Sequence, residues 1–299
     1  MNRIILFKKF AGFGAKLGLG KSQKFVNLYE EMLSKIGSGV HLEYIEIDGQ
    51  KLFLDKEDSL LLSIRKDNYD KFEIDCLKKI IKKDDNVVDL GANIGLYSII
   101  FAKLVGKEGQ VFSFEPDPSN FQLLSKNIEI NKHDNVTLVQ KAVSDETSKT
   151  KLYISKRNFA SHRIFDSEDK RDSIEIDVIK LDEYFEKFQK PINFIKMDIE
   201  GVEGAAISGA SNIIKNSNDF VILMEYFPKW IKKFGNIPEE LLSSLVKQNF
   251  ELFNLNLNSK KIEPIIISDF ILEYNENKKN YTNILCVKGK KLNLTILNI

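Results

Sequence analysis

Apolar residues in the central part of the chain recur in two patterns. Several short, apolar-rich runs have the length of buried β-strands: residues 86–90, 110–116, 136–143, 193–200 and 220–227. Other segments carry apolar residues at helical spacing: residues 94–104, 118–131, 202–215 and 238–248. Apolar strands that alternate with amphipathic helices predict a mostly parallel, doubly wound sheet with helices on both faces.

The segments before this region predict further elements. Residues 69–83 have helical spacing ahead of the first strand. Further upstream, apolar and polar residues alternate around Asp48-Gly49, which predicts a β-hairpin. The first residues of the chain have the pattern of a helical arm. We therefore expect two parts: an N-terminal helical arm and β-hairpin over residues 1–68, and the α/β domain over residues 69–299.

Two later segments depart from the regular alternation. Residues 145–180 predict an irregular region with two strand-like pieces, TKLYIS and IEIDVI. Residues 250–256 and 283–289 predict two final strands. No helical pattern separates these two strands, so we expect the last strand to run antiparallel to the others.

The composition is that of an ordinary soluble globular protein. Of the 299 residues, 43% are apolar and 29% are charged. The net charge of +1 argues against a dominant nucleic-acid surface, and no apolar window of about 18 residues could span a membrane. Cys76 and Cys286 lie in apolar patterns without metal-ligand spacing, which favours buried thiols in a reducing cytoplasm.

The N-terminal arm is basic. Residues 1–25 contain six Lys and Arg side chains, and the first acidic residue is Glu30. Such an arm fits either a packed or solvated helix, or a peripheral contact with the anionic inner face of a membrane. The sequence predicts a cytoplasmic protein with membrane contact through this arm as the alternative, and it predicts no oligomeric state.

The stretch VVDLGANIGLYSII, residues 87–100, predicts a strand, a glycine turn and a helix that hold a nucleotide-like ligand. A dinucleotide site would read G-x-G-x-x-G, whereas here Asn93 stands in place of the middle glycine and Asp89 ends the strand. Asp89 would repel a pyrophosphate and suits a positive group, such as the ammonium of an amino acid. Asp89 and Asn93 could bind that group directly or through water, while Gly91 and Gly95 let the backbone approach.

A second acid ends the next strand. Glu115 follows Asp89 by one helix and one strand, and an acid at this point typically binds both ribose hydroxyls. A ligand with an amino-acid end and an unphosphorylated ribose is S-adenosylmethionine. The plainer alternative is a glycine turn with a helix-capping acid. Because both acids fall at the ends of their strands, we favour S-adenosylmethionine.

The sequence from Tyr69 to Pro228 resembles the FkbM family of S-adenosylmethionine-dependent methyltransferases. The resemblance lies in YDKFEIDCLKKIIKKDDNVVDLGANIGLYS, VFSFEPDPSNFQLLSKNIEIN, AVSDETSKTKLYIS, VIKLDEYF, FIKMDIEGVEGAAISGA and LMEYFP, of which KMDIEGVE is the most specific. It implies the class I methyltransferase fold, a Rossmann-like, seven-stranded, mostly parallel sheet. It also implies O-methylation, often of sugar hydroxyls in glycolipids, surface polysaccharides or secondary metabolites.

The resemblance also implies a set of cofactor-binding residues. The family pattern places S-adenosylmethionine on Asp89, Gly91, Asn93, Gly95 and Glu115. Its Y-x-x-x-E motif matches Tyr69 and Glu73, and Ala142 and Asp145 match the loop expected to flank adenine. One segment departs from the family: residues 155–165, SKRNFASHRIF, lack the glycines that many relatives carry in a turn here.

Three charged residues in an otherwise apolar strand form a second group of candidate site residues. In NFIKMDIEG, strand alternation would place Lys196, Asp198 and Glu200 on one face, which is costly unless they are paired or functional. Lys196 and Asp198 could form a structural pair. Alternatively, Asp198 and Glu200 face the methyl group and assist deprotonation of an acceptor hydroxyl. Glu225, which ends the next strand, and His162, in the irregular region, are further candidates.

These residues leave several functions open. Carboxylates at adjacent strand ends could hold a divalent metal, although no ligand motif predicts one. We expect an O-methyltransferase whose partner is a small-molecule or glycan acceptor, without nucleic acid. The alternatives are a nucleotide-dependent oxidoreductase on a Rossmann-like sheet, which Asp89 and the missing glycine disfavour, and a non-catalytic binding protein that has kept the fold.

Overall fold

The structure, a computed structural model, describes residues 45–54, 71–155, 162–166, 171–256, 259–278 and 280–289. The chain divides into two compact units, Met1–Lys71 and Phe72–Ile299. In the first unit, β1 (Ile45–Ile47) and β2 (Gln50–Leu52) pair antiparallel. Asp48 and Gly49 both have positive φ, as a two-residue hairpin turn requires, which confirms the predicted hairpin. The rest of the arm lies outside the described residues, and its boundary at residue 68 stays a prediction.

Strands in the second unit form two sheets. In chain order they are β3 (Asn86–Leu90), β4 (Gln110–Phe114), β5 (Val136–Val139), β6 (Ala142–Ser144), β7 (Ser148–Ile154), β8 (Asp172–Lys180), β9 (Phe194–Met197), β10 (Phe220–Tyr226), β11 (Glu251–Asn256), β12 (Lys261–Pro264) and β13 (Thr282–Lys288). Within the described ranges the large sheet has eight strands in the order β12-β11-β13-β10-β9-β3-β4-β5. The neighbours from β10 to β5 are parallel, whereas β13 is antiparallel to both β10 and β11.

Helices cover both faces of the large sheet. They are α1 (Lys71–Ile80), α2 (Leu96–Val105), α3 (Pro118–Ile130), α4 (Leu181–Tyr184), α5 (Glu203–Gly209), α6 (Ser211–Asn216), α7 (Pro228–Phe234), α8 (Pro238–Lys247) and α9 (Ile267–Glu273). One apolar core packs α1 and α2 against one face of the sheet. The other core packs α5, α6 and α8 against the opposite face. The predicted doubly wound class I methyltransferase fold is confirmed, including the antiparallel last strand.

The smaller sheet corrects the prediction for residues 136–180. The predicted strand 136–143 divides into β5, in the large sheet, and β6, which pairs with β8. The predicted strand-like pieces TKLYIS and IEIDVI fall on β7 and β8, which pair antiparallel over seven residues and make the region more regular than predicted. Side chains of these strands are largely exposed on one side, so their apolar signal is weak. This sheet stands above the carboxyl end of the large sheet's strands and supplies one wall of the cavity described below.

Three further predictions were wrong in detail. The predicted helix 202–215 is broken at Ala210 into α5 and α6. The two final strands are separated by β12 and α9, although no helix was expected between them. The large sheet has one strand more than the seven expected, because β12 adds to its edge. The exposed side chains of β12 give it no buried face that the sequence pattern could reveal.

Candidate cofactor and acceptor site

A cavity lies at the carboxyl ends of β3, β4 and β9. In open parallel sheets, ligands bind outside the carboxyl ends of the strands. Seven of the predicted site residues line it: Gly91, Asn93, Glu115, Ala142, His162, Asp198 and Glu200. Apolar side chains complete the wall, including Val143 and Leu152 of the smaller sheet. The structure therefore brings predicted cofactor residues and predicted acceptor residues into one space.

The glycine turn after β3 is held by backbone contacts. The amides of Gly91 and Ala92 both donate to the carbonyl of Phe114, at 3.0 and 2.9 Å. Gly91 has φ +73°, and a Cβ there would lie 2.0 Å from the carbonyl oxygen of Asp198. Only glycine fits this position. Gly95, at φ +94°, begins α2 behind the turn and is not among the lining residues.

Glu115 lies where β4 meets the cavity. Its carboxylate accepts the amide of Asn93 at 2.8 Å and the amide of Asp117 at 2.9 Å. Burial raises the pKa of Glu115 to about 7, and these two hydrogen bonds oppose the rise. An ionised carboxylate has about four acceptor positions. The Asn120 side chain also hydrogen-bonds to this carboxylate, so Glu115 can still accept a hydrogen bond from a ligand hydroxyl while it holds the glycine turn.

Asp89 lies behind the cavity wall and is fully buried. One of its oxygens accepts a hydrogen bond from Ser98 Oγ at 2.6 Å, and Lys196 is its partner on the neighbouring strand β9. Burial raises the pKa of Asp89, and Lys196 lowers it. Its second oxygen has no hydrogen-bond partner within the described residues, so that oxygen remains available to an ammonium group or a water molecule.

The other residues predicted to bind the cofactor are placed differently from one another. Ala142 begins β6 and lines the cavity. Asp145 accepts a hydrogen bond from Ser144 Oγ at 3.0 Å, and Glu73 accepts one from Asn283; neither is a lining residue. Tyr69 lies outside the described residues. The cofactor roles of these four residues stay predictions.

The predicted acceptor residues Lys196, Asp198 and Glu200 do not share one face of a strand. The strand ends at Met197, and Glu200 has a left-handed backbone with φ +57°, so the predicted alternation stops before Asp198. Lys196 is buried, with its Nζ 3.5 Å from Asp198 Oδ2 and 4.5 Å from the centre of the Tyr97 ring. The Asp198 side chain is 47% exposed. Asp198 therefore combines a cation partner with access to the cavity.

Arg163, which sequence reasoning missed, holds Glu200. Its Nε and one terminal nitrogen donate to the same Glu200 oxygen, at 3.2 and 3.0 Å. Its guanidinium lies 3.7 Å from the centre of the Trp230 ring, and its backbone pairs with Tyr153 of β7. Burial raises the pKa of Glu200 to about 7, against the lowering effect of Arg163. No sequence pattern links Arg163 to a residue 37 positions away.

The imidazole ring of His162 lines the cavity, and its hydrogen-bond-accepting nitrogen already has a backbone partner. Its Nδ1 accepts the backbone amide of Ser155 at 3.0 Å, so the proton of the neutral ring resides on Nε2. Nε2 lies 4.0 Å from Asp117 Oδ2. Burial lowers the pKa of His162, which favours the neutral ring. In this arrangement His162 can donate a hydrogen bond into the cavity, but it has no nitrogen available to accept a proton.

Two further glutamates stand beside residues 198–201, the segment after β9 that we call the acceptor turn. Glu203, which sequence reasoning also missed, accepts the amides of Gly201 at 3.1 Å and Ile199 at 3.4 Å, and burial raises its pKa to about 8. Burial, followed by the charges of Asp198, Glu200 and Glu203, raises the pKa of Glu225 well above its usual range. Glu225 is not a lining residue.

Among the residues that the structure describes, no group of three or more His, Cys, Asp or Glu side chains is arranged to hold a metal ion. In the same part of the chain, no helix is long and apolar enough to cross a membrane. Cys76 and Cys286 are buried and unbonded, as predicted.

Comparison with known proteins gives a family match. The profile of the methyltransferase FkbM domain matches residues 89–252, more than half of the chain. No curated protein matches the sequence.

Among solved structures, one similar chain is an FkbM methyltransferase from Methylobacillus flagellatus KT, at 15% identity and a TM-score of 0.43; the match covers 77% of this chain and 53% of that one. A second is an rRNA methylase from Streptococcus thermophilus, at 11% identity and 0.40, covering 73% and 95%. A third is Aeropyrum pernix fibrillarin with bound S-adenosyl-L-methionine, at 10% identity and 0.42, covering 73% and 74%.

Proposed function

The chain belongs to the FkbM family of S-adenosylmethionine-dependent methyltransferases, and we propose that it methylates a hydroxyl group of a sugar. The observation that carries the proposal is the shared cavity: Glu115 and the glycine turn lie on the same space as Asp198 and Glu200. A cofactor bound by Glu115 and the glycine turn would have its reactive end beside the carboxylates of Asp198 and Glu200. An acceptor hydroxyl is the group that carboxylates at this point can orient and deprotonate.

The residues present fit S-adenosylmethionine. Glu115 offers an acceptor position for a ribose hydroxyl, and the wall formed by Ala142, Val143 and Leu152 is apolar, which suits a flat base. The buried, unpartnered oxygen of Asp89 suits an ammonium group. When bound, the cofactor supplies a methyl group on a sulfonium sulfur. The protein's remaining tasks are to align the hydroxyl oxygen with that methyl group and to receive the proton.

Asp198 is the carboxylate best placed to receive the proton. It is half-exposed on the cavity, and Lys196 Nζ lies 3.5 Å from its Oδ2. One oxygen of Glu200 is engaged by Arg163, so Glu200 orients the acceptor through its other oxygen. His162 donates from Nε2. The acceptor hydroxyl would lose its proton to Asp198 as its oxygen is methylated.

A transfer assay tests the proposal. The protein would be incubated with S-adenosylmethionine carrying an isotope-labelled methyl group and a panel of neutral and acidic oligosaccharides, and products would be read by mass spectrometry. We expect label on a sugar oxygen, together with S-adenosylhomocysteine. Label that appears only on nitrogen or carbon acceptors would contradict O-methylation. Binding of NAD without S-adenosylhomocysteine would instead favour the oxidoreductase alternative.

The earlier expectations on partners and location remain part of this proposal. The acceptor is a glycan or small molecule, and the protein acts in the cytoplasm. The basic arm, which would hold the enzyme near an anionic membrane, lies outside the described residues. Deletion of residues 1–25 should abolish salt-sensitive binding to anionic vesicles and spare turnover of a soluble acceptor. Failure of the intact protein to bind such vesicles at low salt would remove this role.

A further inference from the structure

The acceptor turn has a backbone shape that is unfavourable by itself. Glu200 and Gly201 are both left-handed, with φ +57° and +105°, a conformation that disfavours a residue with a side chain. One end of the turn is tied to the sheet, because the amide of Asp198 donates to the carbonyl of Leu90 at 3.1 Å. Among the described residues, no backbone carbonyl accepts the amides of Ile199 and Gly201. The rest of the turn therefore depends on a side chain.

Glu203 supplies that side chain. Its Oε1 accepts the amide of Gly201 at 3.1 Å and the amide of Ile199 at 3.4 Å. Glu203 is the first residue of α5, and an acidic residue in the first turn commonly stabilises the helix itself. Both of these amides, however, precede the helix. Glu203 thus reaches back from α5 and ties the two ends of the preceding turn together.

The carboxyl group of Glu203 is buried and does not meet the cavity. Glu203 is 1% exposed and is not among the lining residues, so it is not placed to exchange a proton with an acceptor. Its second oxygen, Oε2, is buried without a hydrogen-bond partner among the described residues, which costs free energy. The contacts that offset this cost are those with the acceptor turn.

The turn carries both carboxylates that face the cavity. Asp198 is its first residue, and Glu200 stands between the two amides that Glu203 holds. The side chain of Glu200 lies against Arg163, with a nitrogen–oxygen distance of 3.0 Å. A change in the backbone of the turn would alter this contact and the direction in which Asp198 faces the cavity.

Glu203 can hold the turn without adding a third negative charge. Burial raises the pKa of Glu203 to about 8, with the charge of Asp198 acting in the same direction and the backbone amides opposing the rise. Below this pH the neutral acid predominates, and its carbonyl oxygen still accepts hydrogen bonds. A neutral amide side chain of the same length should therefore be able to take its place.

We propose that Glu203 is a positioning residue for methyl transfer, which holds the acceptor turn so that Asp198 and Glu200 face the acceptor hydroxyl. This role rests on the proposed function and extends it to a residue outside the cavity. Glu203→Gln keeps the accepting oxygen and should preserve the role. Glu203→Met, of similar length but without an acceptor, should lose it. Glu203→Asp, which is one methylene shorter, should also lose it.

Amide hydrogen exchange in the full-length protein tests the contact without any acceptor. In Glu203→Met the amides of Ile199 and Gly201 should exchange about tenfold faster than in the wild type, because each loses a hydrogen bond. Glu203→Gln should exchange at the wild-type rate. Glu129→Met, an exposed position on α3, is the matched control. Glu203→Asp takes the place of Glu203→Met if the latter does not fold. Unchanged exchange in the substituted protein would overturn the contact.

Methyl transfer to the oligosaccharides of the assay above tests the role. In Glu203→Met kcat should fall about tenfold, with KM for S-adenosylmethionine nearly unchanged, because reacting groups are misplaced while the cofactor half is intact. Glu203→Gln should keep the wild-type kcat. An equal loss of kcat in Glu203→Gln would overturn the role, because that variant keeps the accepting oxygen.

A double variant tests whether Glu203 acts through the contact between Arg163 and Glu200. Arg163→Lys alone should lower kcat about threefold, so independent effects would multiply to about thirtyfold in the double variant with Glu203→Met. Because both changes act on Glu200, the double variant should instead be about as slow as Glu203→Met alone. A full thirtyfold loss would overturn the assignment.

Failure of the positioning role and failure of the proposed function give different results. Faster amide exchange in Glu203→Met with unchanged kcat contradicts the positioning role alone. A wild-type protein that binds S-adenosylhomocysteine but methylates no sugar contradicts the proposed function, and the positioning role falls with it, whatever the exchange rates of Ile199 and Gly201.

Discussion

The two halves of the cavity are built from different kinds of contact. On the cofactor half, backbone hydrogen bonds join the glycine turn to the end of β4, and Glu115 accepts two backbone amides. On the acceptor half, side chains hold the reactive groups: Arg163 holds Glu200, and Lys196 faces Asp198. Backbone contacts fix the first half as part of the fold. The second half can change with a few side chains, which is how one scaffold can serve different acceptors.

The largest effect on turnover should come from a substitution in the acceptor half of the cavity. Asp198→Asn keeps the shape of the side chain but removes its ability to take a proton, so turnover should fall by about 10²–10⁴-fold. Affinity for S-adenosylhomocysteine should change much less, because Glu115 and the glycine turn are untouched. Initial rates and calorimetry measure the two quantities. Asp134→Asn, an exposed aspartate after α3, is the control, and equal rates in both variants would make Asp198 structural.

The stability of the protein should be more sensitive to a substitution in the cofactor half than to one in the acceptor half. In Gly91→Ala the new Cβ would meet the Asp198 carbonyl at 2.0 Å, at positive φ, so unfolding should become easier by about 3 kcal/mol. Gly235→Ala also has positive φ but nothing within 4 Å, and it should cost only about 1 kcal/mol. Urea denaturation compares them. Similar losses would mean that the contact between the turn and β9 is looser than the structure indicates.

The pH dependence of cofactor binding should report Glu115. Its pKa of about 7 in the free protein means that the carboxylate is ionised above this pH and protonated below it. The ionised form is the stronger acceptor for a ribose hydroxyl, so affinity for S-adenosylhomocysteine should fall as pH decreases, by up to about tenfold between pH 8 and pH 6. Glu115→Gln should flatten this dependence. An unchanged slope in that variant would assign it to another group.

The smallest effect should come from Arg163→Lys. Lysine keeps the positive charge but cannot reproduce the two hydrogen bonds to Glu200 or the stacking on Trp230, so kcat should fall about threefold with little change in cofactor affinity. Arg163→Gln removes the charge as well, so the pKa of Glu200 should rise and the acid limb of the rate profile should move to higher pH. A fall in kcat without that movement would indicate a purely structural role.

Sequence reasoning predicted the fold well where the apolar signal is local. The five parallel strands and the helices α2, α3 and α8 follow from apolar runs bounded by glycine or polar residues. The edge strand β12 and the short helix α9 were not predicted. An exposed strand and a seven-residue helix have too few buried positions to show a periodic apolar pattern. The strand-like pieces predicted for β7 and β8 were found, but their pairing with each other and with β6 was not predicted.

The same division applies to the site. Gly91, Asn93 and Glu115 were predicted because they lie within one strand–turn–helix–strand unit, whose spacing is fixed by the fold. The strand-face argument for Lys196, Asp198 and Glu200 was wrong, because the chain leaves the strand at Met197. Arg163, Glu203 and Trp230 were missed. Their contacts to the acceptor turn depend on side-chain packing rather than on a repeating pattern.

The most direct test of the account is a calorimetric titration of S-adenosylhomocysteine at pH 8 into the wild-type protein and Glu115→Gln. The central claim is that Glu115 joins the cofactor to the cavity that also carries Asp198. We expect one saturable site in the wild type and about tenfold weaker binding in the variant, since hydrogen bonds to a charged group contribute about 1.5–3 kcal/mol, with both proteins unfolding at similar temperatures. Equal affinity in the two proteins, or no binding to either, would contradict it.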